Sequence, residues 1–271
     1  MKRRQGWIMH VVVAIGACGL SVAKAQEQTA PEVTAQQVAE MLADPAAKLI
    51  YFNASYRAYM DTGPFDDTFQ ELRLNGAGFL TLPNKSLVLY RAYLPLYSSD
   101  FPIDGEGVGD ALVSAYWAPG TGSLVLGYGG ALLMPTASKA EYGFDKWSAG
   151  PTLVIAQKVP GKCTFGGMVT HVWSFAGNDE REDVSMTTIQ PGLVYFLNEM
   201  GTSLTLMSET TYDWEADQDP WQVPVTLALD QVLPPIGAQF LGIGVAGTYF
   251  IEKAEYAQEW DIRAVVSLMI P

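Results

Sequence analysis

Near its C-terminus the chain reads Trp260-Asp261-Ile262-Arg263-Ala264-Val265-Val266-Ser267-Leu268-Met269-Ile270. Every second residue, beginning with Trp260 and ending with Ile270, is apolar, and the residues between them include Asp261, Arg263 and Ser267. Successive side chains of a β-strand point to opposite faces, so this period of two predicts a strand with one apolar and one mixed face.

Eleven earlier runs are rich in apolar and aromatic residues in the same way. The connections between the runs alternate between tight turns and longer loops. Runs of this length exceed the five or six residues typical of a soluble β-sandwich and approach the roughly nine to eleven of a tilted membrane strand. Short turns at one end and long loops at the other are typical of outer-membrane barrels. The sequence therefore predicts an all-β fold, a transmembrane antiparallel up-and-down β-barrel of about 12 strands, rather than a sandwich or a lipocalin-like barrel. The predicted strands are 48–60, 68–82, 86–98, 108–118, 122–134, 147–159, 162–176, 184–199, 202–214, 221–232, 238–251 and 259–270.

Tryptophan residues lie near the ends of these runs, where the aromatic girdles of a membrane barrel belong. The alternative is that they cap a soluble core. These residues are Trp117, Trp147, Trp173, Trp214, Trp221 and Trp260.

Four prolines fall inside predicted strands, although proline has no N–H to donate to a β-ladder. Pro95, Pro151 and Pro224 lie toward the predicted external ends, where a bulge or an early end of pairing is tolerated. Pro191 lies deeper, and the pattern gives no reason for its presence.

The first 25 residues have the three parts of a secretory signal: basic residues at 2–4, an apolar stretch at 7–20, and Ala23-Lys24-Ala25 as a cleavage site. A lipid attached at Cys18 is the weaker alternative. Cleavage removes four basic residues and no acidic one, so the net charge of −13 becomes −17. This charge excludes most binding to nucleic acid. We predict export, and residence in the outer membrane of a Gram-negative bacterium with its lipids as partners.

Residues 26–47 form a predicted periplasmic lead-in between the signal peptide (1–25) and the barrel (48–271). Thr34 and Gln37 are spaced as a capping box, and Val38, Met41 and Leu42 follow on one apolar side of a short helix. The segment is either a mobile lead-in or a small plug, and the sequence does not decide between them.

An ordered series of short strings closely resembles the bacterial outer-membrane family named "MetA-pathway of phenol degradation", many of whose members carry the name "neuromedin U". The resemblance covers roughly residues 45–271. It implies a transmembrane β-barrel with a transport role for hydrophobic or aromatic compounds in some relatives, and it brings no catalytic residues. The strings are Gly63-Pro64-Phe65-Asp66, Gly107-Val108-Gly109-Asp110, Pro135-Thr136-Ala137, Lys146-Trp147-Ser148-Ala149-Gly150-Pro151, Trp173-Ser174-Phe175-Ala176-Gly177, Trp214-Glu215-Ala216-Asp217, Trp221-Gln222-Val223-Pro224 and Trp260-Asp261-Ile262-Arg263.

Charged residues of both signs fall on the predicted inward faces. They either form rings that line a narrow pore and select solutes, or they pair with one another and fill a closed interior. We predict a channel for the passive passage of small solutes, with a closed structural or surface-interaction barrel as the alternative. The candidates are Arg57, Glu71, Arg73, Arg91, Asp110, Glu209, Asp213, Asp230, Asp261 and Arg263.

A second alternative is an outer-membrane hydrolase built around His171. Ser174 lies three residues away on the same strand and so faces the other side of the sheet, whereas Ser148 or Ser208 would have to reach His171 from another strand.

With Cys163 as its single cysteine, the mature chain lacks the usual His/Cys zinc ligands, and we predict no metal or cofactor. The acidic run 179–183 is either a solvated loop or a ligand for divalent cations.

Overall fold

The computed structural model describes residues 33–62, 67–99, 105–255 and 257–271. The predicted signal peptide (1–25), the start of the lead-in and the string at 63–66 lie outside these ranges. None of the helices in the described ranges has the length and apolar character needed to cross a membrane.

The described residues form a closed barrel of twelve antiparallel strands, which confirms the predicted architecture. Each strand pairs with its neighbours in the chain, and β12 closes the ring by pairing with β1 from Ile50↔Ile270 to Met60↔Trp260. Two strands are interrupted and are given as two segments. The strands are β1 (Ile50–Thr62), β2 (Asp67–Thr81), β3 (Leu87–Ser99), β4 (Gly105–Val108 and Ala111–Ala118), β5 (Leu124–Met134), β6 (Lys146–Val159), β7 (Cys163–Gly177), β8 (Ser185–Phe196), β9 (Thr202–Met207 and Thr210–Asp213), β10 (Trp221–Val232), β11 (Phe240–Glu252) and β12 (Trp260–Ile270).

The connections define two ends of the barrel. The short-turn end carries the connections 82–86, 119–123, 160–162, 197–201 and 233–239, together with the start of β1 and the end of β12. The opposite end, called the long-loop end, carries among others the connection 135–145, which contains a 3₁₀ turn at Ala140–Tyr142.

Side chains of β12 point alternately outward and inward, as the sequence alternation predicts. Ile262 and Val266 point outward and are 50% and 47% exposed, whereas Asp261, Ser267 and Met269 point inward and are buried. The barrel therefore presents an apolar outer face and encloses a mixed, partly polar interior.

Both strand interruptions lie opposite a proline. The carbonyl of Pro95 in β3 accepts from the N–H of Gly109 (2.9 Å), where β4 is broken, and the carbonyl of Pro191 in β8 accepts from the N–H of Ser208 (3.1 Å), where β9 is broken. Proline cannot return a second hydrogen bond, so regular pairing lapses there. This explains Pro191, for which the pattern gave no reason, since Pro191 is the residue opposite the break in β9.

Five of the six tryptophans named above belong to the long-loop end, and Trp117 belongs to the short-turn end. Trp117 donates from Nε1 to Ser86 Oγ (2.8 Å) and packs against Tyr128 with ring centroids 5.4 Å apart. The long-loop end has the larger aromatic belt, in which Tyr212 packs between Trp214 and Trp221.

Helix α1 (Ala35–Ala43) precedes the barrel. Thr34 and Gln37 form the capping box, with Thr34 Oγ1 accepting from the N–H of Gln37 (3.2 Å) and Gln37 Oε1 accepting from the N–H of Thr34 (2.9 Å). The apolar side of α1, which includes Val38, packs against inward-facing residues at the short-turn end. The helix therefore lies inside the barrel rather than beneath it.

Candidate solute pathway

The segment 33–49, which we call the plug, crosses the short-turn end from one wall to the other. Val38 packs on the side of β8 to β12, against residues that include Phe196 and Phe240. Ala46 packs on the opposite wall, against residues of β3 to β6 that include Leu87 and Val154. The plug therefore narrows the lumen across its width with apolar contacts.

Polar contacts hold the plug in place along the wall. The Lys158 ammonium pairs with the Asp44 carboxylate (2.6 Å), and the Tyr116 hydroxyl donates to the Pro45 carbonyl (2.7 Å). The N–H of Gly161 donates to the Glu40 carboxylate (3.2 Å). These bonds join the plug to β4, β6 and the β6–β7 turn.

Three cavities follow one another from the plug toward the long-loop end. The plug cavity, about 320 Å³, lies beside the plug and has apolar walls that include Leu89 and Val154. The middle cavity, about 200 Å³, shares Tyr51 and Arg91 with the plug cavity. The mouth cavity, about 180 Å³, continues beyond it. Consecutive cavities share walls, so they trace one path along the lumen.

The middle and mouth cavities meet at a shared set of wall residues, which we call the neck. The neck consists of the residues that line both cavities, which are Arg57, Arg73, Tyr93, Met207, Glu209 and Arg263.

An ion-pair network forms one side of the neck. Glu71, which is buried, contacts Arg73 Nε directly and lies 4.0 Å from Arg57 Nη1. Glu209 lies 3.3 Å from Arg73 Nη1 and 4.0 Å from Arg57 Nη2. The Tyr59 hydroxyl accepts from Arg57 (3.0 Å) and donates to Glu71 (2.6 Å). These contacts therefore join four charges, which lie on β1, on β2 and at the interruption of β9.

Two charged side chains beside the network lack such partners. No described residue forms an ion pair within 4.0 Å with Arg263 or Asp261, and both Asp261 oxygens and the Arg263 Nε are buried without a hydrogen-bond partner. Arg263 also lies directly across the β1–β12 ladder from Arg57, whose own Nε is unpartnered. The neck thus holds a like-charge pair on its other side.

The remaining predicted candidates lie apart from the neck. Arg91 lines the middle cavity and donates to Ser114 Oγ and Gln190 Oε1 (both 3.1 Å). Asp230 accepts from the Thr205 hydroxyl (3.2 Å). Of the ten predicted side chains, six therefore gather at the neck and mouth cavity, while Asp110 and Asp213 hold loops.

Asp110 anchors the long connection 135–145 in the mouth. Its carboxylate accepts from the N–H groups of Ala137 (3.0 Å) and Phe144 (2.7 Å). In the same connection, Tyr142 packs on Tyr97 of the inner wall, with ring centroids 5.3 Å apart. Asp213, at the end of β9, accepts from the N–H of Glu215 (3.0 Å). These two acids shape the rim instead of the neck.

The acidic run 179–183 contributes loop contacts. Arg181 donates to the carbonyls of Ala140 (2.9 Å) and Gly143 (2.7 Å). Asp183 pairs with Lys146 (3.1 Å), and the hydrogen bond from this ammonium lowers the pKa of the Asp183 carboxyl. Within the described part of the chain, no group of three His, Cys, Asp or Glu side chains is arranged to hold a metal.

The geometry does not assemble the hydrolase alternative. Ser148 pairs with Ser174 in the β6–β7 ladder and is fully buried on the inward face, whereas His171, three residues from Ser174, faces outward. His171 Nδ1 shares a hydrogen bond with the Thr187 hydroxyl (2.7 Å), and the Ser208 hydroxyl shares one with Thr210. The histidine belongs to the outer aromatic belt, where its ring packs on a tryptophan.

Sequence reasoning missed the aromatic residues of the mouth. Tyr59 and Tyr97 alternate inward with the charged candidates, so the same period of two places them in the lumen. Tyr142 belongs to a connection, and no periodic signal predicts that this loop folds inward.

Comparison with known proteins supports the fold. No family model matches the chain, and no curated protein matches it. The barrel is similar to the crystal structure of the COG4313 outer membrane channel from Pseudomonas putida F1, with a TM-score of 0.63 and 14% identity over 91% of this chain and 99% of that chain. It is also similar to the NanC porin structure, with a TM-score of 0.53 and 10% identity over 82% of this chain and 99% of that chain. The chain therefore shares its barrel fold with these two outer-membrane proteins.

Proposed function

We propose that this protein is an outer-membrane channel through which small solutes pass passively. The observation that carries the proposal is the chain of three cavities that share walls from the plug to the long-loop end. A barrel of about twelve strands is wider than one whose interior side chains fill it, so space remains along its axis.

The outer face supports a position in a membrane. Its strands carry exposed aliphatic side chains such as Leu153, Leu227 and Val245, and tryptophans concentrate at the long-loop end. Lipid solvates such a surface, and aromatic rings favour the interface. In the outer membrane the short-turn end, which holds the plug, faces the periplasm.

Cleavage after Ala25 stays a prediction, and mass spectrometry of the exported protein tests it.

The residues that line the cavities indicate which class of solute passes. The plug cavity is mainly apolar, and the ordered strings suggest kinship with the phenol-degradation family, so apolar or aromatic molecules suit this part of the path. The neck is charged and narrow, which restricts the path to small solutes.

The second candidate is a barrel with a closed lumen and a structural role. The specific observation in its favour is that the plug and the neck network each fill part of the interior with direct bonds. In this case the cavities hold water and nothing passes.

Purified protein in a planar bilayer and in liposomes separates the two candidates. We expect discrete conductance steps and entry of small uncharged solutes into the liposomes. Protein that migrates on gels as a folded, heat-modifiable barrel, yet gives neither conductance nor flux, establishes the closed barrel and overturns the channel.

A further inference from the structure

The neck carries more positive charge than its network neutralises. Arg57, Arg73 and Arg263 line it, while Glu209 is the single acid among its lining residues and Glu71 lies behind them. The two acids are committed to Arg57 and Arg73, so no acid of the neck network pairs with Arg263. Asp261 lies beyond the neck in the mouth cavity and forms no ion pair with Arg263 within 4.0 Å. This balance is opposite in sign to the net charge of −13 of the whole chain.

The middle cavity adds a second uncompensated charge. Arg91 lines this cavity, and its side-chain hydrogen bonds go to the neutral oxygens of Ser114 and Gln190. Its guanidinium group is therefore oriented but not neutralised. An anion that enters the middle cavity meets Arg91 on one side and the neck on the other.

Arg57 and Arg263 together form a site that lacks an acceptor. They are direct neighbours across the β1–β12 ladder, both point inward, and each has a buried Nε–H with no partner in the described part of the chain. Arg57 is only 8% exposed, so this donor cannot turn to bulk solvent. Like charges placed opposite each other destabilise a sheet, and an unsatisfied buried donor adds to that cost. An anion between the two side chains removes both costs.

We propose that the neck is a binding and selectivity site for small carboxylate anions, with Arg57 and Arg263 as the residues that hold the carboxylate. The planar guanidinium group pairs with a carboxylate through two parallel hydrogen bonds, and it keeps its charge at all physiological pH values. This inference rests on the proposed channel function and names the solute class that the neck admits.

The surroundings restrict the anion further. The middle and mouth cavities are about 200 and 180 Å³, so a molecule of a few to about ten heavy atoms fits in either of them. The rings of Tyr93 at the neck and of Tyr59 and Phe250 in the mouth cavity offer apolar surface to the body of the solute. Asp261, two residues from Arg263 in the mouth cavity, repels a second negative charge, so the site favours monocarboxylates over dicarboxylates.

The ion selectivity of single channels tests the proposal. With a tenfold KCl gradient across a bilayer, we expect a reversal potential that shows chloride to be about threefold more permeant than potassium. Arg263→Gln should abolish this preference. Arg263 forms no ion pair with any residue that the structure describes, so the variant removes a repulsion and should still fold. Lys162→Gln, an equal change of charge in an exposed turn, should keep the preference of the wild type. Cation selectivity in the wild type overturns the proposal.

Binding to the protein in detergent provides a readout that does not need conduction. We expect benzoate to bind in isothermal titration, benzyl alcohol to bind at least tenfold more weakly, and Arg263→Gln to lose the difference between the two. A channel that conducts but does not prefer benzoate refutes the carboxylate site alone. Absence of conductance with intact benzoate binding refutes the channel and leaves the site established.

Discussion

The plug and the neck narrow the same lumen in different ways. The plug is held by an apolar cluster on each wall with a few polar bonds at its edge, whereas four of the six neck residues are charged. The plug is a separate segment that its bonds hold in place, and the neck is part of the barrel wall. For the proposed channel, this difference assigns opening of the lumen to the plug and selection of the solute to the neck.

Removal of the plug should have the largest effect. A chain without residues 26–46 loses Val38 and Ala46 and the bonds to Tyr116 and Lys158, so we expect single-channel conductance to rise about threefold or more. Planar bilayers measure this, with heat-modifiable gel migration as the control for folding. Conductance equal to that of the full chain would show that the neck, and not the plug, limits the current.

Glu71→Gln should destabilise the ion-pair network of the neck. The buried carboxylate contacts Arg57, Arg73 and Tyr59, and removal of one partner of a buried ion pair costs about 3 kcal/mol. Denaturant unfolding followed by tryptophan fluorescence measures the loss. Glu209→Gln is the matched control and should cost less, because Glu209 is more exposed. Equal losses in the two variants would contradict the central role of the buried acid.

Tyr116→Phe should weaken the plug without removing it. The variant loses one hydrogen bond to the Pro45 carbonyl, worth about 1 kcal/mol, so the open fraction of the channel should rise about fivefold. Long single-channel recordings measure the open fraction. Tyr128→Phe removes an exposed hydroxyl from the outer face and should change nothing. A similar rise in both variants would mean that the Tyr116 hydroxyl does not hold the plug.

Asp183→Asn should have the smallest effect, because it acts on a loop outside both regions. The ion pair with Lys146 lowers the pKa of Asp183, so its contribution to stability is present at neutral pH and is lost as the pH falls through this lowered pKa. Melting curves should show wild type slightly more stable at pH 7 and equal to the variant in strong acid. Glu182→Gln is the control, and a difference that grows on acidification contradicts the assignment.

The sequence predicts those parts of the molecule that follow a strict period. The alternation in β12 and in the earlier runs predicts strand number and inward faces, because one face of each strand contacts lipid and the other does not. The sequence of β8 alone does not explain Pro191, because it does not show that regular pairing of the neighbouring strand β9 is interrupted at Ser208, opposite this proline.

The site itself is only partly predictable. Alternation identifies Arg57, Glu71 and Arg73 as inward-facing, but the pairing with Glu209 depends on where β9 comes to lie across the lumen. The capping box at Thr34 predicts a helix and not its binding place, because an apolar helix side fits many apolar walls. Asp110 has the same inward parity as the neck residues and yet holds a loop, which no pattern along one strand distinguishes.

The short connection between helix α1 and strand β1 affects how quickly an opened lumen closes again. Only residues 44–49 separate the end of α1 at Ala43 from Ile50, and a fully extended chain of this length spans about 20 Å. If helix α1 detaches, residues 44–49 therefore keep it tethered at the opening, and it meets its own binding surface again at a high effective concentration. Reclosure is an intramolecular event, so it is fast and independent of how many copies the membrane contains.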